Sequence, residues 1–152
     1  MSTKVLASNV FLDNASSTVD EVMQFLAEKA VEAGAATDSN AVYEAFKARE
    51  AEGTTGMMGG FAIPHAKNAA ISTPCVMVAK LANPVDWRSM DGEPITCVIA
   101  LLIPAAEAAE HLAVLSRVAV LLMDEGFRAN MLAATTADEV ANLVNAGLEQ
   151  EA

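Results

Sequence analysis

Basic residues are scarce in this sequence: nine lysines and arginines stand against twenty aspartates and glutamates, a formal net charge of −11 at pH 7. A field of that sign repels phosphate backbones and anionic lipid, which argues against non-specific nucleic-acid binding and against insertion into or attachment to an acidic membrane. Any chemistry on an anion has to rest on a local cluster of donors. Aromatic residues are also few, 5% of the chain, so the core must be built from Ala, Val, Leu, Ile and Met. The two cysteines, Cys75 and Cys97, lack C-x-x-C spacing and sit in separate apolar runs. They read as buried thiols in a reducing compartment. The longest apolar run, Cys97 to Ala106, has ten residues and contains Pro104, too short to span a bilayer. Nothing at the start resembles a signal peptide, and a cytoplasmic location is expected. With no G-x-x-x-x-G-K-[ST] loop, no H-E-x-x-H and no Cys/His cluster, the sequence calls for no nucleotide, no metal and no other cofactor.

What is present is a chain of 152 residues, 53% hydrophobic and 19% charged, long enough for one domain with a sizeable core. We expect residues 1–152 to form that single domain. Helical and strand-like stretches alternate, the pattern of an α/β layer fold. Asn9 to Leu12 reads as a short strand. Thr18 and Glu21 form a capping box that opens a helix ended by Gly34. Asp38 or Ser39 caps a second helix, with Val42, Tyr43 and Phe46 on one face, Arg49 in its last turn and Gly53 at its exit. Met57 to Ile63, Cys75 to Leu81 and Ile95 to Ile103 read as strands, the last apolar enough to be covered on both sides. Trp87 to Gly92 reads as a strand edge running into an Asp-Gly turn. A long helix after Pro104 carries His111, Leu112, Leu115 and Val118; Phe127 to Leu132 continues helically. Thr136 and Glu139 form a capping box for the final helix. The expected fold is a mixed sheet of about five strands with helices on both faces.

Only two histidines occur, His65 and His111. His65 follows Gly59-Gly60-Phe61-Ala62-Ile63-Pro64. Proline removes a backbone donor and forces Ile63 into extended geometry, so the strand is expected to stop and to project the next side chain into a loop. From these residues two readings are open: a nucleophile presented at a sheet edge, or a turn histidine without chemistry. Arg49 likewise reads either as a guanidinium whose planar fork matches phosphoryl oxygens or as a solvated cation at a helix C-terminus. His111 reads either as a second site residue or as a partly buried helix histidine.

Residues 54–67, Thr-Thr-Gly-Met-Met-Gly-Gly-Phe-Ala-Ile-Pro-His-Ala-Lys, resemble the active-site signature of enzyme IIA domains of the fructose–mannitol family of the sugar phosphotransferase system. Trp87 to Gly92, Ile95 to Pro104, Glu110-His111-Leu112 and Leu115-Ser116 resemble the family's later landmarks in the expected order. Met58, where many members have glycine, and Phe61, where an aliphatic residue is usual, depart from the signature. They bear on partner and sugar rather than on the chemistry.

The resemblance implies a phosphocarrier. His65 would take a phosphoryl group on Nε2 from the carrier HPr and pass it to a cysteine of a IIB component, for uptake of fructose first, then mannitol or a related sugar. Membrane-bound IIC would be met only through IIB. His111 would hydrogen-bond the phosphoryl group, and Arg49 would stabilise its charge. Thr54 and Thr55 are possible phosphate contacts, and Met57, Met58 and Phe61 possible partner-docking residues. The alternative is a regulatory, nitrogen-type member with the same chemistry at His65 and a different destination.

Overall fold

The computed structural model describes residues 5–149, and of residues 107–111 the backbone alone. Strand β1 (Val10–Asn14) is followed by helices α1 (Val19–Glu32) and α2 (Ser39–Glu52). Two short strands, β2 (Phe61–Ala62) and β3 (His65–Asn68), precede two long ones, β4 (Cys75–Val85) and β5 (Ile95–Pro104). Helices α3 (Ala108–Leu121), α4 (Glu125–Ala133) and α5 (Ala137–Glu149) complete the chain.

Local signals set most of these boundaries. The Thr18 hydroxyl accepts from the Glu21 amide at 3.1 Å, and Glu21 reaches back to the Ser17 amide at 2.7 Å. Asp38 caps α2 through the amides of Asn40 and Ala41. Thr136 and Glu139 cap α5 reciprocally. Each such cap satisfies amides that the first helical turn leaves without partners. At the other end of α4, Lys80 donates to the carbonyls of Met131, Leu132 and Ala134, an ammonium where the helix dipole favours one.

The five strands form one mixed sheet in the order β1-β4-β5-β2, with β3 also paired to β5. β4 and β5 are antiparallel; β1 runs parallel to β4, and β2 and β3 run parallel to β5. Side chains alternate across β5. Val98, Ala100 and Leu102 join the core beneath α1 and α2, while Cys97, Ile99, Leu101 and Ile103 join the core beneath α3, α4 and α5. A strand buried on both faces has no polar face, which is why β5 is apolar throughout. Among the described residues no helix is long and apolar enough to cross a membrane.

Three sequence expectations need correction. The strand expected over 57–63 shrinks to Phe61–Ala62, because Gly59 and Gly60 adopt positive φ and turn the chain before it. Trp87 to Gly92 is not a strand: Trp87 is buried, and Asp91-Gly92 forms the turn. Pro64, finally, does not end the ladder. It lacks a donor, but its carbonyl accepts from the Leu101 amide at 3.0 Å, and pairing resumes at His65 opposite Leu101. An edge strand tolerates proline because its outward side needs no partner.

Candidate functional site

His65 therefore stands at the first position of the edge strand β3, half-buried, beside the last turn of α2. Two hydrogen bonds hold its ring. Nδ1 lies 3.2 Å from the Ile63 carbonyl oxygen, and Nε2 lies 3.0 Å from Nε of Arg49. A carbonyl only accepts and a guanidinium only donates, so the two partners assign the tautomer. The proton is on Nδ1, donated to Ile63, and the lone pair is on Nε2.

Electrostatics favour the same neutral ring. Burial foremost, and the nearby Arg49 charge, push the His65 imidazole below the usual histidine pKa; the Ile63 acceptor and the carboxylates of Glu50 and Glu52 act the other way. The balance leaves the ring uncharged at neutral pH, with a nucleophilic lone pair.

Arg49 is itself anchored. Its Nη1 donates to the Gly53 carbonyl at 2.7 Å, and Gly53 closes the helix with its own amide on the Glu50 carbonyl. The guanidinium therefore approaches His65 edge-on through Nε–H. Beyond the pair opens a cleft of about 530 Å³, lined by Glu44, Ala48, Arg49, Glu52, His65, Lys67 and Leu112 among others. Lys67 is exposed and has no side-chain partner among the described residues. The cleft thus carries two cations, Arg49 and Lys67, beside His65 and against the carboxylates of Glu44 and Glu52, a more even balance than that of the whole chain.

The other expected site residues fall in different places. His111 is the fourth residue of α3, next to cleft-lining Leu112, and its side chain lies outside the described residues. Thr55 is buried, with its hydroxyl committed to Glu50 at 2.6 Å, and the Thr54 hydroxyl donates to the Arg88 carbonyl. Neither threonine is among the residues lining the cleft. Phe61 is wholly buried in the core beneath α3 to α5, which removes it as a docking residue: on a central-facing strand position an aromatic side chain is worth more inside. Met57 packs partly on that same core, and Met58 is partly exposed.

Sequence reading missed Glu50. Its two carboxylate oxygens accept from the Thr55 amide at 2.9 Å, the Thr55 hydroxyl, and the indole N–H of Trp87 at 3.2 Å. An acid beside Arg49 on a helix's last turn carries no signature by itself. Only the arrival of Trp87 from a distant loop makes it distinctive.

The family model for the phosphoenolpyruvate-dependent sugar phosphotransferase system, EIIA 2, matches residues 5–147. The fructose-specific EIIA component of the phosphotransferase system of Haloferax volcanii is 36% identical over 135 residues, 89% of this chain and 88% of that protein. A nitrogen regulatory protein of Bradyrhizobium diazoefficiens is 36% identical over 128 residues, 83% of this chain and 84% of the other. Among solved structures, the crystal structure of the nitrogen regulatory protein IIA-Ntr from Neisseria meningitidis matches with a TM-score of 0.86 at 26% identity, covering 92% of this chain and 95% of that one.

Proposed function

This chain belongs to the EIIA 2 family of the phosphoenolpyruvate-dependent sugar phosphotransferase system, and we propose from that premise that His65 is its phosphoryl acceptor, fed by phospho-HPr and emptied by a cysteine of a IIB component. The observation that carries this reading is the tautomer: Nδ1–H is held by Ile63, and the Nε2 lone pair is directed to the Arg49 side of an open cleft.

The chemistry follows from that arrangement. The Nε2 lone pair attacks phosphorus while the N–P bond of the donor's phosphohistidine breaks and its electron pair returns to the donor ring. No proton moves, because the proton of His65 already sits on Nδ1. As the ring gains positive charge, its bond to the Ile63 carbonyl strengthens. Arg49 Nε–H, which caps the lone pair at rest, loses that acceptor and turns to the phosphoryl oxygens. Transfer of this kind depends on positioning and charge stabilisation more than on covalent help from the protein. His111 is proposed as a second donor to those oxygens, with Lys67 attracting the group from the cleft wall. In the second half-reaction the IIB thiolate attacks phosphorus in line, and the electron pair returns to Nε2.

For the destination we propose sugar uptake in the cytoplasm, with fructose as the first candidate, supported by the Haloferax relative. The equal identity to a nitrogen regulatory protein supports a second reading, a phosphoprotein that regulates by binding. One reconstitution separates them. The chain is incubated with phosphoenolpyruvate, enzyme I and HPr, then offered a fructose-type IIB. Acid-labile phosphate should appear on the wild type and not on His65→Ala, and should pass to the IIB cysteine. Phosphate on His65→Ala at the wild-type level refutes the acceptor; phosphate that stays on the chain favours regulation.

A further inference from the structure

The carboxylate of Glu50 ties the end of α2 to two loop segments, the one around Thr55 and the one around Trp87. It sits in the last turn of α2, one residue after Arg49, and binds both the amide and the hydroxyl of Thr55 and the indole of Trp87. Thr55 is 5% exposed and Trp87 3%, so these donors have little water to turn to if the carboxylate is lost. The Thr55 carbonyl in turn accepts from the Ile63 amide at 3.0 Å, and the Ile63 carbonyl accepts from His65 Nδ1. Gly56 and Ala62 bridge the same two arms, and the Met57 amide donates to the Phe61 carbonyl. The path from Glu50 to the imidazole is therefore continuous: carboxylate, Thr55, Ile63, Nδ1–H.

We propose that Glu50 is a positioning residue for phosphoryl transfer at His65, its carboxylate fixing through Thr55 the arm whose Ile63 carbonyl keeps the ring proton on Nδ1. Glu50 touches neither the ring nor the cleft where the phosphoryl group arrives. Its effect is on which nitrogen holds the lone pair and on how steadily that nitrogen faces its donor. The acceptor bond at one ring nitrogen decides the tautomer at the other, and at metal sites the outer partners that orient a histidine are worth about 10–100-fold in activity, a scale we take over for the Glu50–Thr55–Ile63 path. The same helix turn carries Arg49, whose Nη1 is held by Gly53, and the Gly53 amide rests on the Glu50 carbonyl. Those are backbone contacts that a change of the Glu50 carboxylate leaves in place, so its loss acts on the Ile63 side of the ring while the Arg49 side stays held.

The proposal rests on His65 as phosphoryl acceptor, so the test reads the ring as well as the transfer. Glu50→Gln keeps the side-chain length but has one acceptor oxygen for three donors. In ¹⁵N NMR at pH 8 the wild-type His65 should be almost wholly Nδ1–H, and Glu50→Gln should show a mixture with the Nε2–H form. Single-turnover transfer from saturating phospho-HPr should fall about 10–100-fold, with the donor concentration at half-rate unchanged. Val140→Ala, a core truncation in α5 on the opposite face of the sheet, lowers stability without touching this path and should keep both the tautomer and the rate. Wild-type tautomer and rate in Glu50→Gln overturn the proposal, as does a rate loss matched by Val140→Ala at equal fraction folded. Should the wild type accept no phosphate at all, the acceptor reading fails while the tautomer comparison still decides the role of Glu50.

Discussion

Replacing Arg49 by alanine should damage catalysis far more than folding, and the structure says by how much. Arg49 makes two hydrogen bonds, one to His65 Nε2 and one to the Gly53 carbonyl, and the second is exposed to solvent. Net contributions of about 0.5–1.5 kcal/mol per bond, discounted for the exposed one, put the loss of stability at no more than about 2 kcal/mol. The rate should fall by about 10²–10³, because on the proposed mechanism a preorganised charged donor to the transferring group is removed. That factor corresponds to about 2.7–4 kcal/mol in the barrier. A third readout is independent of both. The Arg49 charge helps depress the His65 pKa, and removing the side chain also lets water closer to the ring; both effects raise it. The variant's imidazole should therefore hold its proton to higher pH, and the acidic limb of phosphoryl acceptance should move toward neutrality. Rapid quench with saturating phospho-HPr measures the rate, urea unfolding the stability, and NMR titration the pKa. Arg49→Lys sharpens the result: it keeps the charge, and so much of the pKa effect, but loses Nε–H and the planar fork, so transfer should stay slow. Full-rate transfer by Arg49→Ala, with His65 titrating as in the wild type, would refute the assignment of this side chain to the reaction.

Other outcomes follow from the same geometry. The His65 pKa is lower in the folded chain than in the unfolded one, so on acidification the unfolded state takes up this proton first; stability present above pH ~6.5 should fall as pH drops through that value toward the folded pKa. Urea midpoints between pH 7.5 and 5.5 should therefore decline more steeply for the wild type than for His65→Gln, and equal slopes would contradict the shift. Gly56→Ala would drive a Cβ into the Arg88 carbonyl oxygen, a backbone atom with little freedom to move aside, and should cost about 1–3 kcal/mol or more; an unchanged urea midpoint would mean that the loop yields freely. Burial pushes the Cys75 thiol up to about 11 and the Cys97 thiol to about 12. At pH 8 the thiolate fraction is on the order of one in a thousand or less, so both should resist a disulfide reagent until urea unfolds the chain, and fast native labelling would show an opening absent from this structure.

Much of the architecture is written locally. A cap is made between residues three or four apart, so Thr18 with Glu21, Asp38 with Ala41, and Thr136 with Glu139 announce their helices without help from the fold. The unbroken apolar run of β5 likewise states that both of its faces are covered. What local reading could not supply depends on which edges and faces remain after packing. Pro64 reads as a stop, yet on the outer edge of β5 only its carbonyl is needed and the ladder continues. Phe61 reads as part of a docking collar, yet the alternation of β2 turns it inward beneath α3 to α5.

By itself, then, the order of residues determined the helix caps, the α/β alternation, the small set of candidate side chains and the family resemblance around His65. Only the tertiary structure decided what those side chains do to one another. The Nε2 lone pair is defined by Arg49, 16 residues earlier in the chain, and the arm beneath it by Glu50 and Trp87, which are 37 residues apart. Hydrogen bonds across such separations form where packing brings donors and acceptors together, and no run of neighbouring residues records where that will be.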